Sequence, residues 1–252
     1  MPPLRMLLAD VALCTGFFTR LPVPHPALAR ASFSGCFWAV PIAGLAVALI
    51  GALVFALADL AGLSGSAAGL LAVAATMLAT GCFHEDGLSD VADGFGGGAT
   101  VERKLEIMHD SRLGTFGTAA LAVSIGLRWS ALAVFADPLP ALAALVAAHT
   151  ASRGILPAFL RLVPPARQAG LSASVGAMPG ASALVALGLG ALGLLLLGPL
   201  GALLGALLCA LAFVAMRSLT LRQIDGQTGD VCGALQQLCE AAILLLASVL
   251  LV

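Results

Sequence analysis

The stretch from 181 to 216, ASALVALGLGALGLLLLGPLGALLGALLCALAFVAM, carries no charged side chain and is punctuated only by the Gly-Pro pair at 198–199. A run of about 18 apolar residues is enough to cross a hydrocarbon core. The tract is therefore read as two membrane spans, Ala181 to Gly198 and Leu200 to Met216. Comparable tracts run from Gly35 to Leu60, Ser66 to Phe83, Thr115 to Ala136, Leu139 to Leu160 and Ala234 to Val252. The whole chain is 60% hydrophobic and 10% charged, whereas a soluble domain is about half apolar and about a quarter charged. So little polar surface cannot wrap a water-soluble globule. The sequence predicts an all-α, polytopic membrane helix bundle of about seven spans, forming a single domain over residues 1–252.

The N-terminal segment PPLRMLLADVALCTGFFTRLPVPHP, residues 2–26, is apolar but short. Arg5 and Asp10 interrupt it, and Pro22, Pro24 and Pro26 close it. It lacks a small-residue cleavage site of the secretory kind. An interfacial or re-entrant helix fits it better than another span.

The cations are placed asymmetrically. Arg5, Arg20 and Arg30 precede the first span, and Arg103, Lys104 and Arg112 lie between the second and third. Arg161 and Arg167 follow the fourth, and Arg217 and Arg222 follow the sixth. The alternate connections, near Asp59, Asp137 and Pro199, carry none. The positive-inside rule then places the N-terminus and the long loops in the cytoplasm. A net charge of −1 without basic runs argues against nucleic acid as a partner. The cysteines at 14, 36, 82, 209, 232 and 239 form no CxxC pair, and neither a disulfide framework nor a structural zinc site is expected.

Against this background, FHEDGLSDVADGFGGG at 83–98 is anomalous. Asp86, Asp90 and Asp93 recur at i, i+4 and i+7, which places them on one helix face. Two carboxylates ~6 Å apart repel by roughly 3 kcal/mol at an effective dielectric near 20, so the cluster needs compensation. A solvated loop, a shared proton and a bound hard cation are the competing readings. The following stretch, GGGATVERKLEIMHDSRLGTFG at 96–117, adds His109, Asp110, Ser111 and Arg112 between glycines. Cations beside carboxylates suit a metal-bridged phosphate ligand. Glu102 and Glu106 flanking Arg103 also fit an ordinary solvated helix.

Further along, His149 and Arg153 share a helix face within an apolar span. A charge there is costly in lipid, so Arg153 is expected to face the bundle interior. Arg128 is expected either to pair with an aspartate or to meet substrate. DGQTGDVCGALQQLCE, 225–240, places Gln227, Thr228 and Asp230 at a helix start that suits either a cap or a ligand.

Taken together, FFTRLPVP (17–24), GCFHEDGLSDVADGFGG (81–97), ERKLEIMHDSRLGTFG (102–117), SRG (152–154) and GQTGDVCGA (226–234) resemble the cobalamin (5'-phosphate) synthase family, the adenosylcobinamide-GDP ribazoletransferases. Glu85 stands where that family usually has Leu, and from about Leu162 to Leu211 only hydropathy is shared. The resemblance implies a bacterial inner-membrane enzyme with its site facing the cytoplasm. It implies transfer of adenosylcobinamide phosphate from adenosylcobinamide-GDP to α-ribazole or α-ribazole 5'-phosphate, releasing GMP with Mg²⁺. Their common helix face makes Asp86, Asp90 and Asp93 the expected Mg²⁺ ligands and catalytic carboxylates, with His84 and Glu85 peripheral to the metal, and one of the carboxylates or His109 as the expected base. Substrate contacts fall to Arg112, Ser111, Asp110, Arg153, Gln227, Thr228 and Asp230. The partners implied are the two substrates and the lipid bilayer, and a homo-oligomer is compatible with them. The Asp-x-x-Asp-Gly at 90–94 is also similar to the CDP-alcohol phosphotransferases, and a proton- or cation-coupled transporter is the rival class.

Overall fold

The computed structural model describes residues 3–24, 33–167, 175 and 177–252. Arg30 and Pro26 lie outside these. Among the described residues there is no strand, and a single isolated bridge pairs Pro165 with Gln227. The predicted all-α membrane bundle is what the chain forms.

Helix α1, Leu4–Phe18, is 15 residues long, or ~22 Å at the α-helical rise, short of a ~30 Å hydrocarbon core. It packs on the 3₁₀ turn Phe33–Ala39 and on α2, Val40–Leu60. Asp10 is buried there and accepts a hydrogen bond from Trp38 Nε1 at 2.8 Å. Helix α3, Gly65–Thr80, is capped by the Ser64 hydroxyl. The apolar tract read from Ser66 to Phe83 meets the acidic motif at its end. There Gly81 and Cys82 both adopt left-handed backbone, at φ 65° and 58°, and α4, Phe83–Gly97, leaves at 90° to α3. A non-glycine residue rarely takes this conformation, and no hydropathy profile signals it.

Short α5, Val101–Ile107, leads to α6, Thr115–Ala133, then α7, Pro138–Gly154, and α8, Leu156–Leu162. Helix α9, Gly180–Leu194, continues through a 3₁₀ turn to α10, Gly198–Ile224. Helix α11, Gly229–Leu250, begins on a Thr228 hydroxyl cap. Among the described residues, five stretches are long and apolar enough to cross a membrane, or six if bent α3–α4 counts as one. One of these, Gly180–Ile224, spans 45 residues and contains both tracts read separately in the sequence, joined at Gly198 with φ 75°.

Small residues face inward. Helices α2 and α7 pack on each other, and both bury small residues, among them Ala43, Gly44, Ala48 and Gly51 on α2 and Ala141, Ala144, Ala147, Ala148 and Ala151 on α7. A Cβ on Gly44 would collide with the His149 carbonyl. Backbones that approach this closely gain dispersion contact without a hydrophobic drive, the usual solution in lipid. Conversely, Leu200, Leu203, Leu207, Leu211 and Val214 of α10 are exposed, as lipid-facing side chains should be.

Candidate active site

Three elements converge on one cavity of about 380 Å³. Helix α4 contributes Asp86, Ser89 and Asp90, and the first turn of α11 contributes Asp230. The α5–α6 connection supplies His109, Asp110, Ser111 and Arg112, with Met108 and Leu113 as its apolar margin. The helical spacing read from the sequence thus brings Asp86 and Asp90 into one site. Asp90 feels the charges of Asp86, Asp230 and Asp93.

What lets α4 approach α11 is Gly87, whose absent Cβ leaves room for the Asp230 backbone. Gly233 of α11 packs reciprocally against His84 and Gly87. Gly94 likewise receives Met108 and the Lys104 carbonyl.

Asp93 shares the helix with Asp86 and Asp90 but does not line the cavity. Its carboxylate accepts the Gly114 N–H at 2.7 Å and the Gly117 N–H at 2.8 Å. These are unpaired donors in the first turn of α6, where the helix dipole also favours an anion. Asp93 therefore anchors the end of the His109–Arg112 loop to the acidic helix.

On that loop Arg112 is exposed and grips Asp110 with its Nε, at 3.0 Å to each carboxylate oxygen. The guanidinium holds the Asp110 carboxyl down at about 2. Arg103 and Glu106 form a separate exposed pair at 2.7 Å, as expected of a solvated helix. Arg167 is a cation that the sequence reading did not assign to the site. Its charge and that of His109 reach Asp230, while its Nη2 donates to the Leu105 carbonyl at 2.6 Å. The only sequence signal for it was its place after the fourth span.

The remaining expected residues lie elsewhere. Thr228 caps α11 by accepting the Val231 N–H, and its hydroxyl donates to Asp230 at 3.1 Å. Gln227 is buried, its backbone paired with Pro164 and Ala166. His84 is 1% exposed and stacks on Phe18. None of these three lines the cavity.

Arg153 is interior, as its cost in lipid required, but it belongs to a buried ion network rather than to the cavity. Arg128 Nη1 meets Glu85 at 2.8 Å and Glu240 at 3.1 Å. The second oxygen of Glu240 meets His149 Nδ1 at 3.0 Å and Arg153 at 3.4 Å. Gln237 reaches Glu85 at 3.3 Å and accepts from Ser124 at 2.9 Å, and Gln236 donates to Ser152 at 3.0 Å. Arg128 thus pairs with glutamates, where an aspartate or substrate had been expected. The network joins α4, α6, α7 and α11 with two arginines against two glutamates. Glu240 sits within the apolar tract 234–252, where Gln236, Gln237 and Glu240 form a polar stripe in the sequence.

Among the described residues no three His, Cys, Asp or Glu side chains converge closely enough to hold a metal ion unaided. The donor chemistry nevertheless fits a hard cation. Asp86, Asp90 and Asp230 offer carboxylate oxygens to one cavity, and Mg²⁺ commonly joins one or two carboxylates to substrate phosphates rather than to a complete protein cage.

A family model described as Cobalamin-5-phosphate synthase matches residues 10–248. A Mesorhizobium japonicum protein named adenosylcobinamide-GDP ribazoletransferase is 56% identical over 98% of this chain and 95% of its own length. Proteins of the same name from Bradyrhizobium diazoefficiens and Azorhizobium caulinodans are 52% and 46% identical, each covered over 95% of its length. No solved structure matches.

Proposed function

Since the chain belongs to the cobalamin-5-phosphate synthase family, we propose that it performs the transfer named for its relatives. Adenosylcobinamide-GDP is the donor, and α-ribazole or its 5'-phosphate is the acceptor. The acceptor hydroxyl oxygen forms a bond to the cobinamide-linked phosphorus and gives up its proton. The bond from that phosphorus to the bridging oxygen breaks, and GMP leaves with the oxygen. The observation that carries this reading is the convergence of Asp86, Asp90 and Asp230 with Arg112 and His109 on the lining of one cavity.

Asp86 and Asp90, with Asp230 opposite, would hold Mg²⁺, which when bound offsets charge on the diphosphate. Arg112, which lines the same cavity, would clamp a diphosphate oxygen by exchanging Asp110 for that partner. Asp93, bonded to the Gly114 and Gly117 N–H groups, would hold the loop that brings Arg112 and His109 to the cavity. A bacterial inner membrane with the cavity toward the cytoplasm fits both the arginine asymmetry and a cytosolic supply of nucleotide substrates. The transport reading loses its main support, because Arg128 and Arg153 are engaged by glutamates.

The test uses protein in bilayer vesicles with both substrates and Mg²⁺. One GMP per cobamide formed is expected, and chelation should abolish it. Release of GDP, or no product with either acceptor, would overturn the assignment. Labelling of single cysteines near Lys104 from the cytoplasmic side, and near Asp59 and Asp137 from the opposite side, checks orientation.

A further inference from the structure

A second cavity beside the first is walled by rings. Phe17 and Phe18 of α1, Phe37 of the 3₁₀ turn and Phe83 of α4 line it, with Leu160 and Cys232. The rings meet edge to face, Phe18 against Phe83 at 5.9 Å and 89°, and against Phe37 at 5.7 Å and 73°. His84 stands against this wall. Its ring lies parallel to that of Phe18 at 6.0 Å and 3°, and edge-on to Phe83 at 5.3 Å. It is 1% exposed, yet neither ring nitrogen has a hydrogen-bond partner among the described residues. Buried polar atoms are nearly always paired, and an orphan calls for an explanation such as a ligand.

The two cavities are built on the same two helices. Phe83 and His84 precede Asp86 on α4, while Gly229 and Cys232 flank Asp230 on α11. A molecule with an apolar aromatic end and a reactive hydroxyl end could therefore place one in each. Guanine carries too many donors and acceptors for a wall of phenyl rings, and a diphosphate needs charge. The base of ribazole is a fused, methylated benzimidazole, apolar except for the one ring nitrogen not bonded to ribose. That nitrogen is an acceptor, and a neutral imidazole has one N–H to give.

We infer that the aromatic cavity between α1, α4 and α11 receives the benzimidazole base of the ribazole acceptor, with His84 donating to its free nitrogen. The inference rests on the transferase reading. The cavity is narrow, about 40 Å³, so the base enters only as the phenyl rings part.

Steady-state kinetics on the bilayer-embedded protein tests this. His84→Leu removes the donor, and Leu160→Phe fills the cavity. Each should raise the acceptor KM at least tenfold while the KM for adenosylcobinamide-GDP moves less than twofold. If either variant fails to fold, the unmodified protein still decides the matter. Free 5,6-dimethylbenzimidazole should inhibit competitively against α-ribazole and not against the donor. Unchanged acceptor KM, parallel changes in both KM values, or no competition by the free base would overturn the base site while leaving transfer intact. Absence of GMP release from the unmodified protein would remove the transferase reading and this site together.

Discussion

A Cβ added to Gly87 would lie 2.8 Å from the carbonyl oxygen of Asp230. The acidic helix and the start of α11 therefore touch backbone to backbone, which sets the distance across which Asp86 and Asp90 face Asp230. Gly87→Ala should push the helices apart at a cost of about 1–3 kcal/mol, the usual range for overpacking. GMP release should fall more than tenfold while the protein still inserts. Gly126, with open space around it, serves as the control, and Gly126→Ala should change neither turnover nor thermal midpoint.

The three aspartates of the motif should separate by assay. Asp86→Asn and Asp90→Asn should weaken Mn²⁺ or Mg²⁺ binding, measured by titration of the bilayer-embedded protein, and should reduce turnover by two orders of magnitude or more. Asp93→Asn keeps one acceptor for the α6 turn and loses the other. It should leave metal affinity within about threefold but lower the thermal midpoint, since an unpaired buried N–H costs about 1–3 kcal/mol. Equal loss of metal affinity in all three would mean that Asp93 leaves the α6 turn to join the ion.

Arg112 and Asp110 make a pH prediction. Asp110 is held at about 2, below its ordinary 3.8, by Arg112. A depressed carboxyl contributes stability above its unfolded pKa and loses it as pH falls through its folded value. The pair should thus persist above pH 4 and loosen only between about 4 and 2, leaving no Asp110 step in a turnover profile from pH 5 to 9. Arg112→Ala should raise the KM for adenosylcobinamide-GDP about tenfold or more, and it should flatten the dependence of that KM on salt.

Glu240→Gln should be the most damaging change among those away from the cavity. It leaves Arg153 and His149 buried without their anion, and breaking one partner of a buried pair costs about 3–5 kcal/mol. Detergent-solubilised protein should lose most of its folded yield. Glu106→Gln, which breaks only the exposed Arg103 pair, should leave thermal midpoint and activity unchanged.

Hydropathy made the membrane bundle legible, and the cost of a charge in lipid made the interior position of Arg153 legible. Helical spacing likewise revealed Asp86 and Asp90 as a pair. The turn at Gly81 and Cys82 was not legible, because a left-handed cysteine is selected by packing and the apolar run continues through it. The divergence of Asp93 was hidden for a similar reason. Its partners are backbone donors more than twenty positions later, and periodicity on one helix cannot show which neighbour docks on which side. Glu240 was hidden because one carboxylate barely alters the mean hydropathy of a span, while Arg128, His149 and Arg153, with which it pairs, come from other helices.

The buried ion network also imposes an order on synthesis. Arg128 follows Glu85 by 43 residues, but Arg153 precedes Glu240 by 87. As the chain leaves the ribosome, α6 can find its counter-ion on α4 at once, whereas α7 arrives with a cation whose partner has yet to be translated. Until α11 emerges, that charge must be accommodated by water or by the insertion machinery. The last helix is then the one that completes neutralisation, and a nascent chain stalled before it would present an unpaired Arg153 for quality-control proteases to recognise.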